Sequence, residues 1–252
     1  MHRFFISKTN LNEELQTARI IDKDDIKHAS KALRIEIDEK VELCDDSGIE
    51  HICQVSEIES EYIECRILSS EKNKRESPIE ITLFQGFPKS DKLELIIQKT
   101  TELGVVNVVP VQMKRSVAKW KNDKSASKKI MRWNKIGFEA AKQSKRGRIP
   151  VVKEPLTVNE LCSELEHFDL VILPYENESA KGIDEVISGL DSVKSVAVII
   201  GPEGGFAEEE VACLSENGAN SVKIGPRILR TETAGVVSVA LVQYALGDLG
   251  NV

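Results

Sequence analysis

The sequence of 252 residues has little of what usually announces a chemistry. No apolar run approaches the ~20 residues that a membrane helix needs, and the start, MHRFFISKTN, lacks the apolar core of a signal peptide. A cytoplasmic location is therefore expected. The cysteines, Cys44, Cys53, Cys65, Cys162 and Cys213, include no C-x-x-C pair. That favours free thiols in a reducing compartment over disulfides or a zinc site. The four histidines form no H-E-x-x-H pattern, so no metal is expected. No glycine cluster is followed by Lys and Ser or Thr, which excludes a phosphate loop, and the dinucleotide spacing G-x-G-x-x-G is missing. No repeat and no low-complexity tract interrupts the chain.

Positive charge is outnumbered overall but concentrated. The net charge is -7, and residues 1–72 hold 10 Lys+Arg against 17 Asp+Glu. Residues 114–148 instead carry 13 basic residues and two acids, Asp123 and Glu139. An excess of that size marks a surface for a polyanion, although a merely solvated lysine face is the plainer reading of a charge run. Both tryptophans, Trp120 and Trp133, fall inside the run, where rings among cations would suit stacking on unpaired bases.

The first third reads as β structure. Residues 41–44 and 49–55 flank the turn Asp45-Asp46-Ser47-Gly48, and 62–68 alternate apolar with polar. Residues 24–34 look helical, and the charged stretch 69–78 looks like a linker, which places a domain boundary between 72 and 73. Strands and helices then alternate. Strands are expected at 79–85, 105–111, 168–174, 196–200 and 221–224. Helices are expected after Asp91, with Glu94 completing a capping box, and at 127–145 and 233–246. Several of these strands are apolar on both faces, the pattern of a parallel sheet between helices, so the fold class is α/β.

In such sheets ligands bind beyond the carboxyl ends of the strands. Three strand ends carry unusual loops: Leu173-Pro174-Tyr175-Glu176, Gly201-Pro202-Glu203-Gly204-Gly205-Phe206, and Gly225-Pro226-Arg227-Ile228-Leu229-Arg230-Thr231-Glu232-Thr233. Any one could be a tight turn. Three in succession point to a binding site. Glycine admits a ligand close to the backbone, and the three glutamates after the second loop repel phosphate from that helix start. A neutral adenosine with a short zwitterionic tail fits such walls better than a polyphosphate.

These stretches, IGPEGGFAEEEV and IGPRILRTETAGVVSVALVQY, resemble the RsmE family of 16S rRNA uridine N3-methyltransferases, of the SPOUT class. MHRFFI, HASKALR, KSDKLELIIQKTTELGV and RWNKIGFEAAKQSKRGRIP agree with it in order and spacing. The resemblance implies a PUA-like RNA-binding β-barrel at 1–72 and a trefoil-knotted SPOUT methyltransferase domain at 73–252. It further implies a homodimer acting on 16S rRNA in the small ribosomal subunit. It implies S-adenosylmethionine as methyl donor, held by Leu173, Pro174, Gly201, Glu203, Gly204, Gly205, Ile224, Gly225, Leu229, Arg230 and Thr231.

Methylation at N3 requires loss of a ring proton and an unpaired base, because N3 lies on the pairing edge. Arg230 is the expected cation for the developing anionic base. Glu232, or else Glu203, is the candidate base. A rival reading makes Glu232 a carboxylate that only stabilises the helix start. RNA contacts are expected from Arg3, Arg34, Lys114, Arg115, Arg132, Lys142, Lys145, Arg146 and Arg148. Two other functions remain compatible with the residues: a non-catalytic rRNA-binding assembly factor, and an unrelated α/β enzyme acting on a small nucleotide.

Overall fold

A computed structural model describes residues 1–89, 91–120, 125–176, 181–188, 190 and 192–250. Lys121 to Lys124 of the basic run lie outside them. The chain divides into two compact units, residues 1–76 with 141–148, and residues 77–140 with 149–252.

The first unit is built on a six-stranded sheet. Its strands are β1 (His2–Ile6), β2 (Leu11–Asn12), β3 (Thr17–Ile20), β4 (Lys40–Asp45), β5 (Ile49–Ile58) and β6 (Ile63–Lys72), in the order β1-β4-β5-β6-β3-β2. The β4–β5 hairpin turns at the expected residues. Gly48 takes a φ of +80°, and one Asp45 carboxylate oxygen accepts the N–H groups of Ser47 (2.9 Å) and Ile49 (3.0 Å). Phe4, Leu43, Ile20 and Ile63 fill the core beneath the sheet. The expected linker is shorter than its composition suggests. Ser69 to Lys72 extend β6, with Lys72 opposite Ile49, because pairing with β5 satisfies their backbone groups whatever their side chains. The helix read over 24–34 changes pitch. An α-helical turn, α1 (Lys23–Lys27), is capped by Asp22 and passes into a π-helical turn, His28–Leu33, that ends at Arg34 with φ of +54°.

Residues 141–148 are fastened to this unit by buried charge. Arg146 forks onto the Glu76 carboxylate at 2.7 and 3.1 Å, and its carbonyl accepts from Arg3 at 2.6 Å. Arg3 also pairs with Glu42 and, at 2.6 Å, with Glu50. Lys142 meets Asp25 at 2.8 Å.

The second unit is a parallel sheet. Its strands are β7 (Glu80–Gly86), β8 (Asn107–Gln112), β9 (Val151–Val152), β10 (Leu156–Thr157), β11 (Leu170–Pro174), β12 (Ser195–Ile200) and β13 (Asn220–Val222). The order is β10-β8-β7-β12-β11-β13, with β9 beside β8, and every pairing is parallel. The helices are α2 (Lys92–Glu102), α3 (Ala126–Gln143), α4 (Val158–Glu164), α5 (Ile183–Ile187), α6 (Glu208–Glu216) and α7 (Thr231–Leu246). The near-continuous apolar strands bury both faces. Ile81, Leu83, Val196 and Val198 point to one cluster, with Leu93, Ile97, Trp133 and Val239 of α2, α3 and α7. Phe84, Ala197 and Ile199 point to the other, with Leu161 and Leu214 of α4 and α6. Asp91 makes no side-chain cap on α2, and Glu94 instead accepts from Arg132 at 2.8 Å. Gly104, at φ of +91°, follows the end of that helix.

Candidate functional site

β12, β11 and β13 are neighbours in the sheet, so parallel pairing brings their three following loops to one end. There the loops enclose a cavity of about 540 Å³, within the range of roughly 300–1,000 Å³ typical of small-molecule sites.

The glycine loop is shaped by close approaches. A Cβ added to Gly204 would lie 2.8 Å from Arg115 Cβ and from its carbonyl oxygen. Gly201 lies against the Phe206 ring, and Gly205 turns with φ of +68°. From the other side, Gly86 at the end of β7 abuts the loop, since a Cβ there would stand 2.5 Å from the Pro202 nitrogen. The loop is then tied to α7. Gln85 donates to the Thr231 hydroxyl at 2.8 Å, and that hydroxyl donates to the Gly201 carbonyl at 2.6 Å. The glutamates that follow the loop explain themselves. Glu210 accepts from the Ala207 N–H at 2.8 Å and from the Lys114 N–H at 2.7 Å, and Glu209 pairs with Lys114. The helix start that an anion would need is occupied by the protein's own carboxylates.

Of the residues expected to hold the donor, Pro174, Gly201, Glu203, Gly204, Gly205, Ile224, Gly225, Leu229, Arg230 and Thr231 line this cavity. Leu173 does not. Its side chain is fully buried in β11 and packs in the apolar cluster under α4 and α6. Arg230 is exposed at the cavity and is the N-cap residue of α7, which begins at Thr231 rather than Thr233. Glu232 therefore lies inside the first turn, beside the cavity rather than in its wall.

Lys92 was not foreseen. Its Nζ stands 3.0 Å from Glu203 Oε1 and 3.2 Å from Glu232 Oε2. Its pKa is raised, first by Glu203 and then by Glu232. Burial pushes the Glu203 carboxyl up, but the Lys89 N–H (3.1 Å) and Lys92 outweigh it and hold Glu203 below its ordinary value. In the sequence Lys92 is one of many lysines at a helix start. Nothing local shows that α2 delivers it to loops more than a hundred residues away.

The basic residues divide by environment. Arg34, Lys145 and Arg148 are exposed in the first unit, and Lys114, Arg115 and Arg132 in the second. Two expectations are corrected. Arg3 and Arg146 are buried and neutralised by Glu42, Glu50 and Glu76, so neither offers a cation to RNA. Lys142 is already paired with Asp25. The tryptophans are corrected too: Trp133 is 7% exposed, and it packs with Trp120 (ring centroids 5.7 Å apart) and Phe87 (6.0 Å) inside the second unit. Trp133 is therefore a core residue, while Trp120 stays half-buried with the Lys129 ammonium 5.7 Å from its ring centroid. Among the described residues no three His, Cys, Asp or Glu come together as a metal-binding group, and no helix is long and apolar enough to cross a membrane.

Residues 75–243 match the family model of the RNA methyltransferase domain, and residues 21–68 that of the RNA methyltransferase PUA domain. The chain is 35% identical over 248 residues to the ribosomal RNA small subunit methyltransferase E of Bacillus subtilis, covering 97% of this chain and 96% of the relative. It superposes on the Neisseria gonorrhoeae ribosomal RNA small subunit methyltransferase E bound to S-adenosyl methionine with a TM-score of 0.85, at 29% identity and 99% coverage of both chains. It matches a putative Legionella pneumophila methyltransferase in complex with the cofactor SAM equally well, with a TM-score of 0.85, 29% identity and 98% coverage of both chains.

Proposed function

The chain belongs to the ribosomal RNA small subunit methyltransferase E family, of the SPOUT class with a PUA-like N-terminal domain, and from that premise we propose that it methylates N3 of a uridine in 16S rRNA, with S-adenosylmethionine as donor. The observation that carries the reading is the cavity of about 540 Å³ closed by three loops at the ends of adjacent parallel strands. Its walls fit the donor. Gly201, Gly204, Gly205 and Gly225 expose main-chain groups to a flat heterocycle, and a Cβ at Gly225 would meet nothing within 4 Å. Glu203 and Glu176 at the rim suit the cationic parts of the donor. When bound, that donor supplies an electrophilic methyl group.

The residues of this chain then have separate tasks. Pro174, the glycine loop and the stretch from Ile224 to Thr231 hold and orient the donor, and orientation is a large share of such catalysis. Arg230, at the cavity and free of a side-chain capping bond, stabilises negative charge as the ring nitrogen loses its proton. Glu203, held ionised below its ordinary range, is a weak base. Glu232 acts through Lys92 on the shape of the site. Arg34, Lys114, Arg115, Arg132, Lys145 and Arg148 supply the RNA-facing charge, whose contribution falls with salt. The protein works in the cytoplasm as a homodimer on the small subunit.

The test uses small ribosomal subunits that lack the modification. They are incubated with the protein and methyl-labelled S-adenosylmethionine, and the rRNA is digested. Label in N3-methyluridine at one position is expected, and Arg230→Ala should abolish most of it. Label in another nucleoside would overturn the uridine assignment.

A further inference from the structure

We infer that Lys92 is a positioning residue: its ammonium holds the glycine loop and the first turn of α7 at a fixed separation, and thereby sets the affinity of the cavity for its donor. The donor part of this inference rests on the reading of the cavity given above.

Three observations carry it. First, one cation meets two carboxylates from different elements. Glu203 belongs to the glycine loop, and Glu232 follows Thr231 in α7. Second, the pair of contacts complements another tie. The Thr231 hydroxyl already holds the Gly201 carbonyl at 2.6 Å, so the loop is fixed to α7 at two separate points. Third, Lys92 is the first residue of α2, where a cation opposes the helix dipole. Its presence there does nothing for α2 and is accounted for by its acidic partners. Without it, two carboxylates that both reached one ammonium would face each other uncompensated and repel. The loop and α7 would move apart, and the cavity would lose its shape.

The experiment compares the native protein with Lys92→Met, which keeps most of the stem, and Lys92→Arg, which keeps the charge. Amide hydrogen exchange is followed without any ligand, and S-adenosylmethionine affinity is measured by calorimetry. In Lys92→Met, exchange at residues 201–205 and 231–234 should rise about tenfold while residues 96–101 of α2 stay unchanged. The donor dissociation constant should rise by about tenfold, with kcat at saturating donor held within about threefold. Lys92→Arg should restore both. Unchanged exchange in either segment, a rise spread evenly through α2, or no rescue by arginine would overturn the inference. If Lys92→Met does not fold, Glu203→Gln removes one of the two pairs and is read only by amide exchange without ligand, which should rise at residues 201–205 and 231–234 and stay unchanged at 96–101. If the native protein binds no S-adenosylmethionine, the donor reading fails, and the exchange data alone decide whether Lys92 fixes the loop to α7.

Discussion

Replacing Thr231 by valine tests the logic of the site at one atom. Valine has nearly the shape of threonine, so packing is kept and only the hydroxyl is lost. That hydroxyl accepts from Gln85 at 2.8 Å and donates to the Gly201 carbonyl at 2.6 Å. Thr231 and Gln85 are both buried, and Gln85 Oε1 already has no partner. The Gln85 amide would retain only its 3.1 Å bond to the Gly86 carbonyl. A buried polar group left unsatisfied costs about 1–3 kcal/mol. Gln85 is left partly unsatisfied, while the half-buried Gly201 carbonyl faces the cavity and can be solvated, so the loss should be about 1–3 kcal/mol. For a chain of this size that lowers the melting temperature by roughly 2–12 °C. Urea unfolding and thermal melts measure it, with Thr231→Ser as the control that keeps the hydroxyl. Donor affinity should fall as well, because the Gly201 carbonyl is no longer aimed. If the valine variant stayed within about 0.5 kcal/mol of the serine variant, the relay from Gln85 to Gly201 would not be what fixes the loop.

Other consequences can be measured separately. Gly204→Ala drives a Cβ against the Arg115 backbone at 2.8 Å, so it should weaken donor binding in calorimetry and cost roughly 1–3 kcal/mol of stability; unchanged binding would show that the loop tolerates displacement. Arg146→Met leaves Glu76 without its buried partner and should cost about 3 kcal/mol in thermal unfolding, whereas a weakened RNA affinity with an unchanged melt would restore the RNA-contact reading of Arg146. Asp45 gives a pH dependence. Burial pushes its carboxyl up, but the Ser47 hydroxyl, the Ile49 and Ser47 N–H groups and His51 outweigh this and lower it in the folded state. The stability it adds is complete above the unfolded value of about 3.9 and is lost as pH falls through the lower folded value. Asp45→Asn should therefore be less stable near neutrality and lose less on acidification below about pH 4; parallel pH curves would show that the Asp45 contacts contribute nothing.

Much of the architecture was legible from local patterns. Runs such as Val196 to Ile200 are apolar at every position because both faces of a parallel strand are covered, and the Asp45–Gly48 turn announces its hairpin. The three proline-bearing loops could be picked out because each follows an expected strand, and ten of the eleven residues expected at the donor cavity line it. The Leu173 side chain does not line the cavity for a periodic reason: it is the strand position facing the apolar cluster. Arg3, Arg146 and Trp133 are buried, and a count of charge or aromatics along the chain carries no information on burial.

By itself, then, the sequence determined the α/β class, the family resemblance, the loops that form the cavity and the concentration of positive charge in residues 114–148. Those properties are local, fixed by side-chain periodicity and backbone freedom. Tertiary structure alone decided which charges are available. It paired Arg146 with Glu76 and Arg3 with Glu42 and Glu50, it joined residues 141–148 to the first unit, and it set Lys92 between Glu203 and Glu232. The physical reason is that an ion pair depends on distance in space. In these cases the partners lie between 39 and 140 residues apart along the chain, where no sequence periodicity reaches.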